Sequence, residues 1–180
     1  MGAWIVAGVG LAALLLFGMK LEGATKGAGP NPIPTIEVIP STPGSKYPYP
    51  TEVNSASTRY GVDPNIVAAV VSWEQRSDKT WNPKAVNPSD PSYGLGQVTP
   101  YIGVKAGVIP SEKDYTGLFD PQRNLNAVAW FLHYLLWDMK FSLDEAVQIY
   151  NLGESRWAQG KRVPDYLAGV MGYLRKFRGW

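Results

Sequence analysis

The chain has 180 residues, of which 45% are hydrophobic and 18% charged, with 17 Lys and Arg against 15 Asp and Glu. A formal charge of +2 is too small for a surface that neutralises many phosphates, so nucleic acid is not an expected partner. The absence of cysteine excludes disulfides, thiolate nucleophiles and Cys-based metal sites, and one histidine, His133, leaves few nitrogen ligands. We therefore expect no metal or other cofactor, and chemistry that runs on carboxylates, hydroxyls or amides.

The N-terminal segment is uniformly apolar, because no charged side chain occurs from Met1 to Met19. At about 1.5 Å per residue, a helix of that length spans roughly 28 Å, close to the hydrocarbon thickness of a bilayer. A cleavable signal peptide is the alternative, but no basic residue precedes the apolar run and no clear small-x-small cleavage site follows it. We predict a retained transmembrane anchor over residues 1–22, whose orientation the flanking charges leave open.

The next segment, residues 23–50, contains seven prolines together with many Gly, Ser and Thr residues. Proline fixes φ and removes a backbone donor, so this composition predicts an extended linker rather than helix or sheet. The periodic patterns and most aromatic residues lie in residues 51–180, which we predict to be the folded domain.

Helix-start signals recur through this domain. Asp63, Thr99 and Asp120 each precede a proline, and Ser142 with Glu145 forms a capping-box pattern. Because long alternating strand patterns are absent, we predict a mainly α domain. Its helices are expected near residues 52–60, 64–76, 100–106, 121–139, 143–150 and 164–177.

Glu74 stands out in the predicted helix that begins at Pro64. With Val67, Val70 and Val71 it follows the i, i+3, i+4, i+7 spacing of the core-facing stripe. Burial disfavours the charged carboxylate and raises its pKa, and a protonated carboxyl in a partly dry cleft can protonate a glycosidic oxygen. Periodicity alone favours a different interpretation, in which Glu74 ends an amphipathic helix and reaches solvent or pairs with a nearby cation.

Two further motifs contain amides and glycines. The first reads Tyr-Gly-Leu-Gly-Gln from Tyr93 to Gln97, and the second reads Tyr-Asn-Leu-Gly from Tyr150 to Gly153. Glycine lets a backbone approach a ligand, and Asn or Gln presents a donor and an acceptor that suit sugar hydroxyls and N-acetyl groups. Either motif alone is short enough to arise by chance.

Taken in order over roughly residues 52–177, these motifs resemble the lytic transglycosylases of the soluble-lytic type, whose core fold is shared with goose-type lysozymes. The resemblance implies a mainly α, lysozyme-like fold and a catalytic acid at Glu74. It also implies a substrate-binding set of Gly94, Leu95, Gln97, Tyr150, Asn151 and Tyr166. The implied substrate is the β-1,4 bond between N-acetylmuramic acid and N-acetylglucosamine in peptidoglycan glycan strands.

The implied reaction uses Glu74 first as acid and then as base, and it closes a 1,6-anhydro ring on the muramic residue. The chain departs from the family pattern at Gln75, where Ser is common, and at Arg162, where an acidic residue is common. Gly96 replaces the Met of the family's Gly-Leu-Met-Gln, which we expect to remove a side chain from the sugar cleft.

Two alternatives stay open at this stage. A hydrolytic lysozyme of the same fold would need a second carboxylate, for which Asp90 is the best candidate, although Asp beside Pro is common in turns. A catalytically silent wall-binding module would not need Glu74. The expected setting is a single-pass membrane protein whose domain faces the cell wall, with the lipid bilayer and peptidoglycan as partners. Such a protein would serve envelope machinery or, if phage-encoded, phage entry or release.

Overall fold

A computed structural model describes residues 46–77 and 81–180, so the predicted anchor and most of the predicted linker lie outside the described part. The helices are α1 Pro50–Tyr60, α2 Pro64–Glu74, α3 Pro100–Lys105, α4 Pro121–His133, α5 Leu143–Leu152, α6 Glu154–Ala158 and α7 Pro164–Arg178. Two antiparallel strands of two residues each, β1 Val86–Asn87 and β2 Ser92–Tyr93, form a hairpin, and a 3-10 turn covers Tyr115–Phe119. The prediction of a mainly α fold is confirmed.

The predicted helix starts are confirmed by their capping contacts. Asp63, Thr99 and Asp120 each accept a hydrogen bond from a backbone N–H two or three residues further on, and a proline follows each of them. Ser142 and Glu145 form the complete capping box at the start of α5. Local side-chain chemistry therefore fixes where these helices begin.

Helix α2 lies at the centre of the domain. Every residue from Ile66 to Ser72 is buried, so the helix is covered on all sides rather than along one stripe. Its neighbours are α7, α1 and α4. A helix that is apolar all round is typical of a protein interior, and the polar residues at its C-terminal end are consequently drawn toward the core.

The structure differs from the predicted elements in the longest predicted helix and in the short elements. The helix predicted over residues 121–139 is α-helical only to His133 and continues as a π-helical turn, Tyr134–Asp138, in which Met139 N–H donates to Tyr134 O at 2.9 Å. Helix α6 and the hairpin were not predicted, because elements of two to five residues carry too little periodicity to be recognised.

The end of the predicted linker is part of the fold. Tyr47 is only 8% exposed, its ring stacks with Trp81, and it contacts Phe177 edge-on. Lys46 Nζ donates to the Phe177 carbonyl at 2.6 Å. The folded part therefore begins before residue 51, the boundary expected from composition. No helix among the described residues has the length and apolar character needed to cross a bilayer.

The contact between α2 and α7 depends on a glycine. A Cβ at Gly169 would lie 2.3 Å from ring carbons of Trp73, so only a residue without a side chain fits at this distance. The Trp73 ring also meets Tyr166 edge-on at 6.4 Å. At the other end of the helix pair, Arg178 forms an ion pair with Asp63 at 2.5 Å.

We expect Gly169→Ala to lower the free energy of unfolding by about 1–3 kcal/mol, because the added methyl group overpacks the contact with Trp73. Gly172→Ala, one turn later, is the matched control, since a Cβ there meets nothing within 4 Å. In the control, higher helix propensity should leave stability unchanged or raise it by up to about 1 kcal/mol. Chemical denaturation measures both, and equal effects would contradict the steric explanation.

Candidate active site

Four of the predicted site residues line one cleft. Glu74, Gln97, Asn151 and Tyr166 surround a space of about 430 Å³, together with Arg76 and Asn87. The C-terminal end of α2 with the residues just after it, β1, the loop after β2, the end of α5 and the start of α7 supply these side chains. Another cleft among the described residues is lined by Arg59 and Arg123 and has no carboxyl group.

Glu74 is the last residue of α2, and its carboxyl group is mostly enclosed. Burial raises its pKa, while a hydrogen bond from Tyr166 and the positive charge of Arg76 act in the opposite direction without cancelling the effect of burial. The Tyr166 phenol donates to Oε1 at 2.7 Å, and the Glu74 side chain lines the cleft. The geometry therefore combines a mostly enclosed carboxyl group with a hydrogen bond that fixes one of its oxygens.

The two tyrosines beside Glu74 stay neutral. Burial raises the pKa of both Tyr150 and Tyr166 well above its usual value, and the charge of Glu74 adds to this effect. They are therefore uncharged hydrogen-bonding groups at neutral pH. The Tyr150 phenol donates to the Gly96 carbonyl at 2.7 Å, so it holds the loop after β2.

Gln75 fastens that loop to the end of α2. Its side-chain Nε2 donates to the carbonyls of Gly94 at 3.2 Å and Leu95 at 2.9 Å, and its Oε1 accepts from Asn82 N–H at 3.0 Å. The side chain is only 4% exposed. The departure from the family's serine thus gives a buried amide that connects three backbone groups next to the acid.

Asn124, which lies in none of the predicted site motifs, holds the same loop from the other side. Its Nδ2 donates to the carbonyls of Tyr93 and Leu118, both at 2.8 Å, and its Oδ1 accepts from Gly96 N–H at 2.8 Å. The side chain is fully buried. The sequence signal for this role is the position of Asn124, a polar residue on the core face of α4, one helical turn before Val128.

Gly94, Leu95 and Gly96 are buried and do not line the cleft. Leu95 is fully buried in the core, so its side chain packs rather than contacting a ligand. Gly94 has φ +72, and a Cβ there would lie 2.3 Å from the Leu118 carbonyl. The expectation that Gly96 removes a cleft side chain is wrong, because a Cβ at this position would lie 2.2 Å from Cγ2 of Val128, on the core side.

Gln97 and Asn151 present amides to the cleft. Gln97 has φ 48, its Nε2 donates to the Gly94 carbonyl at 2.9 Å, and its Oε1 accepts from the Ser92 hydroxyl at 3.2 Å. Asn151 is exposed at the end of α5. A side-chain amide has two donors and two acceptor lone pairs, so these two bonds leave Gln97 one donor and one acceptor position for a ligand.

Asp90 stands apart from this arrangement. It is exposed in the turn between β1 and β2 and does not line the cleft, whereas Glu74 does. Glu74 is therefore the carboxyl group of the cleft within the part of the chain that the structure describes. The same residues contain no group of His, Asp and Glu that could hold a metal ion.

Comparison with known proteins supports the family resemblance found in the sequence. A family model described as the transglycosylase SLT domain matches residues 52–166, which include every predicted site residue. The chain is similar to the membrane-bound lytic murein transglycosylase C of Edwardsiella ictaluri (strain 93-146), with 31% identity over 106 residues. The aligned region covers 56% of this chain but only 28% of that relative's length. The resemblance found in the sequence is thereby confirmed.

We expect Asn124→Ala to lower the free energy of unfolding by about 2–4 kcal/mol, because buried backbone groups at Gly96 and Leu118 lose a hydrogen-bond partner. Asn126→Ala is the matched control on the same helix. Its side chain is half-buried and accepts one bond, from Gln122, so its loss should cost less than about 1 kcal/mol. Urea denaturation distinguishes the two, and a similar loss in both would contradict the assigned role of Asn124.

The raised pKa of Glu74 predicts a pH-dependent gain in stability for Glu74→Gln. A folded-state pKa above the unfolded value means that wild-type stability falls as pH rises from the unfolded pKa through the folded one. The variant lacks this loss, so its advantage should be small near pH 3 and should grow toward pH 7. Thermal unfolding at a series of pH values measures the difference in Tm.

Glu145→Gln provides a control of opposite sign. Hydrogen bonds from Ser142 lower the pKa of Glu145, so its contribution to stability is present above the unfolded pKa and is lost as pH falls through the folded one. Glu145→Gln should therefore be less stable than wild type at pH 7 and approach it at low pH. If the difference in Tm between Glu74→Gln and wild type does not change with pH, the inference that burial raises the pKa of Glu74 is contradicted.

Proposed function

The chain belongs to the transglycosylase SLT domain family, and from this premise we propose that it is a peptidoglycan lytic transglycosylase with Glu74 as its single acid and base. The observation that carries the proposal is the enclosed Glu74 carboxyl, hydrogen-bonded through Oε1 by Tyr166 within a cleft lined by the amides of Gln97 and Asn151. Such a site suits a hydroxyl-rich and amide-bearing polymer.

In the first step, protonated Glu74 gives its proton to the oxygen that links muramic acid to the next N-acetylglucosamine. The bond from the muramic C1 to that oxygen breaks, and the leaving sugar departs as an alcohol. The substrate's own N-acetyl group assists at C1, which removes the need for a second protein carboxylate. Burial of Glu74 supports this step because it favours the protonated form.

In the second step, the C6 hydroxyl of the same muramic residue attacks C1, and its proton passes to the Glu74 carboxylate. The ring closes as a 1,6-anhydro sugar, no water is consumed, and Glu74 regains the proton that it lost. Tyr166 would orient the carboxyl group in both steps. Gln97 and Asn151 would hold the sugar, while Tyr150, Gly94 and Leu95 would act indirectly by fixing the loop that carries Gln97.

Hydrolysis by a lysozyme mechanism is the second candidate function. It would need a carboxylate to activate water, and Asp90, the residue suggested by the sequence, is exposed in a hairpin turn outside the lining of the cleft. This position favours the single-acid reaction. The two reactions differ in product, because transglycosylation leaves anhydro-muramic ends and hydrolysis leaves reducing ones.

The proposed cellular setting is a membrane-anchored enzyme that opens the wall locally. In this proposal residues 1–22 anchor the protein in a bilayer, most of residues 23–50 form the tether, and the helical domain faces the cell wall. The apolar N-terminal sequence supports the anchor, and the relative from Edwardsiella ictaluri is named as membrane-bound. Envelope machinery and phage entry or release are both compatible settings.

Glu74→Gln should reduce release of anhydro-muropeptides from purified peptidoglycan by at least about 100-fold, because the amide cannot transfer the proton. Asp90→Asn is the matched control and should retain wild-type activity. Mass spectrometry of the released fragments identifies the ends. Reducing ends together with loss of activity in Asp90→Asn would establish the lysozyme reaction, and no cleavage by wild type would favour a wall-binding module.

A further inference from the structure

The active-site cleft contains a cation that general sugar binding does not require. Arg76, two residues after Glu74, lines the cleft, and its side chain is exposed. Among the described residues that line the cleft, Glu74 has the acidic side chain and Arg76 has the basic one. The other lining side chains are polar, apolar or phenolic. Neutral sugar hydroxyls are well served by Gln97 and Asn151, so Arg76 needs a separate explanation.

Arg76 is held in a defined position. Its guanidinium lies over the Trp73 ring, 4.9 Å from the centroid, and its Nη1 donates to the Trp73 carbonyl at 3.0 Å. Trp73 is in turn fixed by its contact with Gly169 and by Tyr166. A planar guanidinium that is stacked on an aromatic ring loses less freedom on binding, and it keeps further donors in a fixed fork for a carboxylate.

The position of Arg76 opposes the acid role of Glu74 when the cleft is empty. A positive charge near a carboxyl group favours the carboxylate, and Arg76 indeed lowers the pKa of Glu74 against the larger effect of burial. Among the residues that the structure describes, the other titratable groups that interact with Glu74 are Tyr166 and Tyr150, and both are neutral phenols. An anion bound at Arg76 would screen this positive charge and favour protonated Glu74.

We propose that Arg76 binds a carboxylate on the side arm of muramic acid and thereby makes the cleft select anionic glycan over neutral glycan. This inference rests on the proposed function and specifies its substrate. The side arm carries a lactyl carboxylate when the strand is bare, and when a peptide is attached it carries the carboxylates of that peptide. Both sources offer the same chemistry to the guanidinium.

Binding to full-length protein carrying Glu74→Gln tests the inference without cleavage. The ligands are an N-acetylglucosamine oligomer without carboxylates, a bare muramic-containing oligomer with lactyl carboxylates, and the same oligomer with peptides. Adding Arg76→Gln should weaken binding of a carboxylate-bearing ligand by about 10- to 100-fold, the range expected for charge-assisted hydrogen bonds. Binding of the neutral oligomer should change by less than about twofold, since Arg76 makes no charge-assisted bond to it.

Arg162→Gln is the matched control. Its guanidinium also lies over a tryptophan, Trp157, at 3.5 Å from the ring centroid, and it also donates to that tryptophan's carbonyl, but it does not line the cleft. This variant should bind all three ligands like its parent. A larger loss for the bare oligomer in Arg76→Gln identifies the lactyl carboxylate, and a larger loss for the peptide-bearing one identifies the peptide.

Equal weakening of neutral and anionic ligands, or no change in either, would overturn the proposal. The pH dependence of kcat/KM gives a second readout in the Glu74-containing protein. In Arg76→Gln, the limb on which activity falls as pH rises should move to higher pH, because a charge that favours the carboxylate is lost. A protein that cuts no glycan but shows the Arg76-dependent preference would refute only the proposed function, and the converse result would refute only this inference.

Discussion

The burial of one carboxyl group at the end of α2 is the constraint on which the site depends. Because the helix is buried from Ile66 to Ser72, its last residue is held between the core and the cleft. Helix α7 must then approach closely enough for Tyr166 to reach Glu74 Oε1, and this approach requires the absence of a side chain at Gly169. The same packing that stabilises the domain thus sets the environment of the acid.

Side-chain amides replace regular secondary structure around the cleft. The loop that follows β2 is closed by a pair of backbone hydrogen bonds, but several carbonyl and N–H groups within it are bonded by side chains. Gln75 satisfies two of these carbonyls from α2, and Asn124 satisfies groups of Tyr93 and Gly96 from α4. An amide suits this task because it offers donors and an acceptor in one plane. The loop is consequently rigid where it carries Gln97.

The sequence predicts the features that local chemistry determines. The helix starts at Pro64, Pro100 and Pro121 are predicted by a capping residue before each proline. The burial of Glu74 is predicted by its place on the apolar stripe of its helix. The roles of Asn124 and Gly96 could not be predicted in the same way. Most of their partners lie in other elements, far away along the chain. No sequence pattern within a window of a few helical turns predicts such contacts. The short hairpin and α6 could not be predicted either, because they contain too few residues to show a hydrophobic period.

The three influences on Glu74 fit the two halves of the proposed reaction. A group that must first donate and then accept a proton works best when its pKa lies near the working pH, since neither form is then strongly disfavoured. Burial alone would favour the acid so strongly that the carboxylate formed in the first step would be poorly stabilised. The donor at Tyr166 and the charge of Arg76 both favour that carboxylate, and each acts from a fixed position. Of these two, only Arg76 reaches the open cleft as a charge, so it is the one whose influence a bound anion can alter.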